Sequence, residues 1–432
     1  MTARAVTLAE WSSCGFEENE ALRDLDLAPA DSQLAEALTK SERLKVVEHR
    51  RGLRLQATSF VGRIGLGDLV VTIEPKIARH ALLRLLEYAY DLGDLHLFKD
   101  ARYGANDVVL VDVIVQTLLR EVERLRERGL HRTYTRVSED LATPRGAIDM
   151  RSLVSRVTNG TALLPCVHHP RDDDHLLNRV LKAGLLLGAH VAFDGAIRVA
   201  ARRSAATLEK IATVSVSSAL LARARRALDR RVVHYAPMLN LVEILLGGNS
   251  LDLDEEDQCV EVPGFLFDMN RFWQALLGRL LRESLPDAEI VEDRALREAF
   301  RYADGFGHPT FRAPTARPDF VVRRGGRCMA VLDAKYRDLW KKNLPSSMLY
   351  QLAVYAAARG SGRTAAILYP APSAEAREVR VEVCSLGVGT SERPVVALRP
   401  VHVERLVAAI DGGDGARREW GRELAGVPTL SP

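Results

Sequence analysis

The chain has 432 residues, of which 47% are hydrophobic and 27% are charged, and its formal net charge is +3. This size and composition predict a globular protein with two or three domains and exclude a disordered or fibrous chain. No apolar run reaches the roughly 18 residues of a membrane span, and the N-terminus lacks a long apolar segment typical of a secretion signal. We therefore expect a cytoplasmic protein without a membrane partner.

The first two regions are predicted from apolar spacing. Residues 1–40 carry little pattern and predict a loosely packed extension, whereas alternating apolar runs over 43–77 predict strands separated by glycine turns. Together they make a β-rich region, residues 1–100. Helical spacing then predicts a helix at 79–92, followed by a central helical region, residues 101–255, with helices at 105–128, 173–191, 215–231 and 235–247.

Two features of the central region allow more than one interpretation. Arginine and lysine crowd residues 198–231, which fits either phosphate contact or a solvated helix face. The nearby Cys166, His168, His169 and His175 lack the spacing of a structural zinc site, and we interpret them as a loop that leads into a helix. The five cysteines contain no Cys-x-x-Cys pair and fit a reducing compartment.

The most informative pattern lies in the third region, residues 256–432. Asp319 opens the apolar run 320–322, and Asp333 and Lys335 close a second apolar run, 329–332. Both runs predict short strands joined by the turn at 323–327. Residues two apart on a strand face the same side, so Asp333 and Lys335 point together, and strand pairing brings Asp319 beside them.

Two carboxylates and an ammonium suit a site for a hard cation. Asp319 and Asp333 are predicted to ligate Mg²⁺ or Mn²⁺, while Lys335 orients water or stabilises charge on a phosphate. This is the layout of the PD-(D/E)xK nuclease core. The predicted helix 344–359 carries Gln351 and Tyr355 on one face, where they support the site, and strand 364–369 follows. A closing helix is predicted near 401–411, and the final twenty residues are predicted to fray.

The order of several segments resembles McrC, the nuclease subunit of McrBC-type, modification-dependent restriction systems. The resemblance runs from about residue 55 to 370, and it is carried by SFVGRIGLGDLVVTIEPKI (59–77), LLRLLEYAYDL (82–92), GLHRTYTRVSEDLATPRGAIDM (129–150), LLNRVLKAGL (176–185), FLFDMNRFWQALLGRLL (265–281) and the core motifs. It implies an α+β protein whose third region is a restriction-endonuclease-like α/β core. It also implies that Asp319, Asp333 and Lys335 are catalytic and that the substrate is double-stranded, methylated DNA.

The resemblance further implies a partner, a McrB-like AAA+ GTPase hexamer that docks on the regions before residue 256. The chain contains no Gly-Lys dipeptide and hence no Walker A loop, which agrees with an NTPase supplied by another protein. Many relatives carry Glu at the position of Gln274, so the third metal ligand here is an amide without charge. Two alternatives stay open: a catalytically impaired subunit that regulates an AAA+ partner, and a free-standing nuclease of DNA repair.

Overall fold

The computed structural model describes residues 4–92, 109–157, 163–252, 259–261, 263–293, 295, 315–337, 339, 344–357, 364–372, 375–384 and 393–427. Its strands are β1 (Arg4–Ala9), β2 (Ser13–Gly15), β3 (Leu44–His49), β4 (Gly52–Ala57), β5 (Phe60–Leu66), β6 (Leu69–Glu74), β7 (Thr133–Tyr134), β8 (Val137–Leu141), β9 (Ala147–Ile148), β10 (Leu164–His168), β11 (Arg171–Asp172), β12 (Ser250–Asp252), β13 (Cys259–Glu261), β14 (Gly264–Asp268), β15 (Glu289–Glu292), β16 (Phe320–Arg324), β17 (Arg327–Ala334), β18 (Thr364–Ala371), β19 (Val379–Glu382) and β20 (Val395–His402).

Its helices are α1 (Pro29–Lys40), α2 (Arg79–Tyr90), α3 (Leu110–Arg128), α4 (Met150–Val157), α5 (Leu176–Val191), α6 (Gly195–Ala206), α7 (Ser218–Arg226), α8 (Ala236–Asn249), α9 (Met269–Ser284), α10 (Ser346–Ala357), α11 (Val403–Asp411) and α12 (Gly413–Ala425). The predicted mixture of helices and strands is confirmed. None of these helices, within the residues that the structure describes, is both long and apolar enough to cross a bilayer.

The chain divides into two compact units. The first unit combines residues 1–102 with residues 251–432, and the second comprises residues 103–250. The second unit overlaps the predicted helical region, residues 101–255. The β-rich region and the third region, predicted as separate domains, contribute to one unit.

The N-terminal part of the first unit is built from two sheets over a shared core. One sheet has the order β1-β6-β5-β14 and the other the order β2-β4-β3. Alternate residues of these strands point inward and pack with α1, and the resulting core includes Leu38, Leu55, Ile64 and Val71. This corrects the expectation of a loose extension over 1–40, because β1 pairs in parallel with β6 along its whole length. The short apolar side chains of α1 gave too weak a pattern to predict this packing.

Strand β14 joins the later chain to the N-terminal sheet by antiparallel pairing with β5. Two glycines allow the close approach of these strands. Gly62 has φ of 139°, and a Cβ there would lie 2.2 Å from the carbonyl oxygen of Phe265. Gly264 has the same φ, and a Cβ would lie 2.3 Å from the carbonyl oxygen of Arg63. Any larger residue at either position would therefore separate the strands.

The C-terminal part of the first unit is a six-stranded mixed sheet with the order β15-β16-β17-β18-β20-β19. Strands β15, β16 and β17 are antiparallel, whereas β17, β18 and β20 run parallel. Helix α10 packs on one face through a core that includes Leu352 and Ile367. Helix α9 lies on the other face, where the indole N–H of Trp273 donates to the carbonyl of Leu368 at 3.0 Å.

The last helix corrects the expectation that the final twenty residues fray. Residues Gly413–Ala425 form α12, which packs against α9. Trp420 and Leu424 are buried, and Gly421 lies against Ser284 so closely that a Cβ would be 2.2 Å from the serine side chain. The high Gly and Arg content of this segment obscured its apolar face in the sequence.

The second unit is a helical bundle with small sheets, β8-β10-β9 and β7-β11. Helix α5 packs against α3, α6, α7 and α8. Its buried Asn178 accepts a hydrogen bond from the hydroxyl of Tyr235 at 2.8 Å and donates to the carbonyl of His131 at 2.9 Å. The helices predicted at 105–128, 173–191, 215–231 and 235–247 correspond to α3, α5, α7 and α8, with residues 105–108 outside the described part of the chain, and α4 and α6 are additional helices that the spacing did not indicate.

Candidate active site

The two acidic residues of the sequence motif lie side by side at the edge of the six-stranded sheet. In the β16–β17 register Phe320 is paired with Leu332, so the next position places Asp319 opposite Asp333. The turn that allows this hairpin contains Gly325 and Gly326, both with positive φ. A backbone hydrogen bond fixes the first carboxylate, since the Ala334 N–H donates to Oδ2 of Asp319 at 2.7 Å.

Lys335 lies directly after β17 and contacts the same carboxylates. Its Nζ is 2.9 Å from Oδ2 of Asp333. Asp333 is 2% exposed, so this ion pair is shielded from solvent on the acidic side. Burial alone lowers the pKa of Lys335, but Asp333 and Asp319 outweigh it and the net pKa is raised. The lysine is therefore protonated and positively charged at neutral pH.

The two carboxyl groups repel one another. Burial, followed by the charge of Asp333, raises the pKa of Asp319 to about 6, although Lys335 and the Ala334 N–H act in the opposite direction. A raised carboxyl pKa means that the second negative charge is costly in this environment. Such a shift is typical of functional sites, where unfavourable charge is retained for chemistry.

Gln274 is the third residue predicted to bind metal, and it lies next to Asp319. It occupies the second turn of α9, and its Nε2 donates to Oδ1 of Asp319 at 3.2 Å. The helix begins beside the site because Asp268 caps it, accepting hydrogen bonds from the N–H groups of Asn270 and Arg271. The side-chain oxygen of Gln274 would face Asp319 only after rotation of the amide.

Gln351 reaches the site through Tyr355. Its Nε2 donates to the hydroxyl of Tyr355 at 2.6 Å, and that hydroxyl donates to the carbonyl of Arg317 at 2.8 Å. Burial raises the pKa of Tyr355, and the charges of Asp333 and Asp319 add to the increase. Tyr355 is thus the residue of this pair that lies close to the two carboxylates, and Gln351 orients its hydroxyl.

The donor set fits a divalent cation. The two carboxylates repel each other, so a cation that neutralises them would stabilise the site. Their oxygen atoms are the donors that Mg²⁺ and Mn²⁺ prefer. Among the residues that the structure describes, no group of three or more His, Cys, Asp or Glu side chains converges to hold a metal. A cation here would therefore depend on Asp319, Asp333, the Gln274 amide and groups supplied by a substrate.

Asp319 and Lys335 line a cleft of about 780 Å³. One side of this cleft is formed by Asp319, Ala334, Lys335 and the start of α9. The other side comes from residues that the sequence analysis did not identify, and we call it the N-terminal wall: Trp11, Ser41, Glu42, Lys45 and Gln56–Phe60. The two sides are joined where the Asn270 amide donates to Oγ of Ser59 at 2.6 Å.

Nothing in the local sequence marks the N-terminal wall as part of a site. Alternation along β3 and β4 indicates that Lys45 and Gln56 point away from the core. Their position beside the catalytic strands depends on the pairing of β5 with β14, which joins residues about two hundred positions apart. A long-range pairing of this kind gives no periodic signal within either segment.

The other candidate motifs lie in the second unit. In the basic stretch, Arg198 donates to the carbonyl of Ala192 and Arg225 to Asn240, which stabilises the bundle. Cys166 is buried in β10, and His168 pairs with Glu139. Contact of the basic stretch with phosphates stays a prediction.

Comparisons with known proteins agree with the sequence resemblance. The family model described as McrBC 5-methylcytosine restriction system component matches residues 55–370. A structure from Thermococcus gammatolerans, a refined half-complex of McrB AAA+ hexamers with bound McrC, is similar with a TM-score of 0.62 and 18% identity, covering 97% of this chain and 100% of that chain. A second, the cryo-EM structure of the Thermococcus gammatolerans McrBC complex, has a TM-score of 0.47 and 18% identity over 65% of this chain and 88% of that chain. No curated protein matches the chain.

Proposed function

This chain belongs to the family of McrBC 5-methylcytosine restriction system components, and we propose that it is the nuclease subunit of such a system. In this proposal the six-stranded sheet is a PD-(D/E)xK core, and the chain is an endodeoxyribonuclease that depends on Mg²⁺ or Mn²⁺. Its substrate is double-stranded DNA that carries 5-methylcytosine, and its role is restriction of foreign DNA.

One observation carries the catalytic part of the proposal. Asp319 precedes one strand while Asp333 and Lys335 lie at the end of the next, and the pairing of these strands brings the three side chains together where Asp319 and Lys335 line a cleft. The raised pKa of Asp319, caused by burial and by the charge of Asp333, and the positive charge of Lys335 suit a site that binds a cation and a phosphate. A surface pair of Asp and Lys at a strand end would be neither buried nor coupled to a second carboxylate.

The side chains have separate roles in this chemistry. Asp319 and Asp333 would hold the cation, and the Ala334 N–H keeps Asp319 in its orientation. The bound metal supplies Lewis-acid polarisation of the phosphate and a lowered pKa of water. Lys335, kept protonated by Asp333, donates a hydrogen bond to a phosphate oxygen and stabilises the negative charge that increases in the transition state. Tyr355, oriented by Gln351, supports the same acidic cluster.

The proposal includes an AAA+ partner. The similar Thermococcus gammatolerans structure contains McrB AAA+ hexamers with bound McrC, and the fold of this chain is like a chain of that assembly over its whole length. We therefore expect this chain to bind a McrB-like hexamer and to increase its rate of GTP hydrolysis. We expect the regions before residue 256, which include the second unit, to bind the hexamer.

The test uses the full chain together with its McrB-like partner, GTP, Mg²⁺ and methylated DNA. Asp333→Asn and Lys335→Ala should each lower the cleavage rate by at least about 10²–10³-fold, since each removes a group that acts on transition-state charge. Both variants should still bind the partner and stimulate GTP hydrolysis. The matched control is Asp26→Asn, an exposed acid outside the cleft, which should cut at the wild-type rate. Cleavage by Asp333→Asn at the rate of this control would refute the catalytic assignment.

A regulatory subunit is the second candidate function, and Gln274 favours it. The amide contacts Asp319 at the place where a carboxylate would complete a three-acid site. A wild-type chain that stimulates GTP hydrolysis but cuts no DNA at any Mg²⁺ or Mn²⁺ concentration would support this function. Efficient cleavage of unmodified DNA without the partner would instead support a free-standing nuclease.

A further inference from the structure

We propose that the N-terminal wall binds the phosphodiester backbone of the DNA strand that lies in the cleft. Lys45 and Gln56 supply the contacts from the wall, and Arg337 supplies a third, held in place by Trp11. This inference rests on the proposed nuclease function, because it concerns the substrate of the same cleft.

Lys45 and Gln56 form a polar pair on the surface of the wall. They are opposite each other in the antiparallel register of β3 and β4, so their side chains project from the same face. Both are exposed and both line the cleft that contains Lys335. Lys45 forms no ion pair with any other described residue, so its charge is available to a ligand. An ammonium and an amide side by side are suited to phosphate oxygens.

Arg337 lies two residues after Lys335 and is held by the N-terminal region. Its guanidinium carbon is 5.0 Å from the centre of the Trp11 ring, a cation–π contact. The preceding residue is fixed in the same way, because the Tyr336 hydroxyl donates to Oε1 of the buried Glu10 at 3.1 Å. Two successive residues after the catalytic lysine are thus attached to the end of β1.

Trp11 has a backbone conformation that indicates a special role. Its φ is 59°, in the left-handed region that a bulky residue adopts only at a cost. The strained turn is held by a hydrogen bond from the Trp11 N–H to the carbonyl of Thr58 at 3.3 Å. The indole at this strained position lines the cleft and lies against the guanidinium of Arg337.

Two acidic residues that line the cleft allow a more specific test of DNA binding. Asp268 is engaged as the N-cap of α9. Glu42 is exposed on the N-terminal wall, and its charge opposes the binding of a polyanion. If DNA backbone passes this wall, Glu42 and Lys45 should therefore have opposite effects on affinity.

The first experiment measures binding by the full chain to a fluorescent DNA duplex without divalent metal, by anisotropy at several salt concentrations. Lys45→Gln should weaken binding about 3- to 10-fold and reduce the salt slope by about 1, the effect of one lost phosphate contact. Glu42→Gln should strengthen binding. The matched control is Lys40→Gln, an exposed lysine at the end of α1 that does not line the cleft. Equal effects of Lys45→Gln and Lys40→Gln would overturn the proposal.

A second experiment tests whether Trp11 acts through Arg337. Trp11→Ala and Arg337→Ala should each weaken binding, and the double variant should be no weaker than Arg337→Ala alone, because the indole contributes only by positioning the guanidinium. Trp11→Phe keeps an aromatic face and should retain most of the affinity. Additive losses in the double variant would show that Trp11 does not position Arg337.

The outcomes separate this inference from the proposed function. If wild-type protein cuts DNA and Asp333→Asn does not, the nuclease proposal is supported. If Lys45→Gln then binds DNA with unchanged affinity, only the proposal that the N-terminal wall binds DNA is rejected. If no condition gives cleavage but Lys45→Gln and Glu42→Gln change DNA affinity in opposite directions, DNA binding by the N-terminal wall is supported and the nuclease proposal is rejected. Thermal unfolding of each variant shows that the comparison is made between folded proteins.

Discussion

Two charged clusters in the first unit use similar residues with opposite results. The catalytic cluster, Asp319, Asp333 and Lys335, has two acids for one base. In the Tyr88 cluster each acid faces a base: Glu283 accepts from the Tyr88 hydroxyl at 2.8 Å and from Nε of Arg279 at 2.8 Å, and Arg417 lies 3.7 Å away. Arg279 also pairs with Asp91, and Arg417 also pairs with Asp414. Both arginines also lie over the Tyr88 ring.

The difference teaches how charge serves function or stability. In the Tyr88 cluster Glu283 contacts a hydroxyl and a guanidinium group and no second carboxylate within the described residues, and the cluster joins α2, α9 and α12. In the catalytic cluster, burial and like charge raise the pKa of Asp319 to about 6, so the folded protein retains an unfavourable interaction. A site that is to bind a cation places two acids beside each other, whereas the structural cluster places each acid beside a guanidinium group.

The largest effect on stability is expected in the Tyr88 cluster. Glu283→Gln should lower the free energy of unfolding by about 2 kcal/mol, because the Tyr88 hydroxyl and Arg279 lose a charged hydrogen-bond acceptor. Urea denaturation measures this change, and Glu419→Gln, an exposed acid on α12, is the control. DNA cleavage by the folded variant should be unchanged. A loss no larger than that of the control would mean that the cluster contributes no more than a surface ion pair.

A smaller effect of opposite sign is expected for Asp319. Because its pKa is raised to about 6 in the folded protein, the folded state binds a proton more tightly than the unfolded state. Its contribution to stability is therefore present at low pH and is lost as pH rises through about 6. Asp319→Asn should be more stable than the wild type at pH about 7.5, by about 1–2 kcal/mol, and this advantage should disappear at pH about 4.

The measurement is urea denaturation of both proteins across this pH range without divalent metal. Added Mg²⁺ should stabilise the wild type at neutral pH and have little effect on Asp319→Asn. A variant that is less stable than the wild type at neutral pH would show that the two carboxylates do not repel each other in the folded protein.

The smallest effect is expected for Gln274. Gln274→Glu adds a third carboxylate next to Asp319 and should lower the Mg²⁺ concentration needed for half-maximal stabilisation several-fold, about 1 kcal/mol. Without metal the variant should be less stable, since it increases the repulsion. Thermal unfolding at increasing Mg²⁺ measures both changes, with Gln274→Asn as a neutral control. A Mg²⁺ response equal to that of Gln274→Asn would place this residue outside the metal shell.

The catalytic cluster was predictable because its signals are local. A hairpin joins Asp319 to Asp333, and strand alternation puts Asp333 and Lys335 on one face, so neighbouring residues determine the geometry. The family resemblance added Gln274, which lies where the sequence placed it, beside Asp319. The roles of these residues in metal binding and cleavage remain predictions.

The N-terminal wall and α12 were not predictable for two different reasons. The wall depends on pairing between segments that are distant in sequence, and no alternation within β5 or β14 identifies the partner strand. Helix α12 was not predicted because the glycine and arginine content of this segment is typical of a frayed chain end. Trp420 and Leu424 are four residues apart and face the core, but glycine and arginine around them suggested a solvated end.

The pairing of β5 with β14 also has a consequence for biosynthesis. Residue 60 leaves the ribosome long before residue 268, so β5 must wait for its neighbour while the whole second unit is made. During that interval the sheet has an open edge, which can pair with other chains, and closure joins segments of high sequence separation, which slows folding. Nascent chains that stop before β14 should therefore aggregate, and the cleft can form only after this strand has been added.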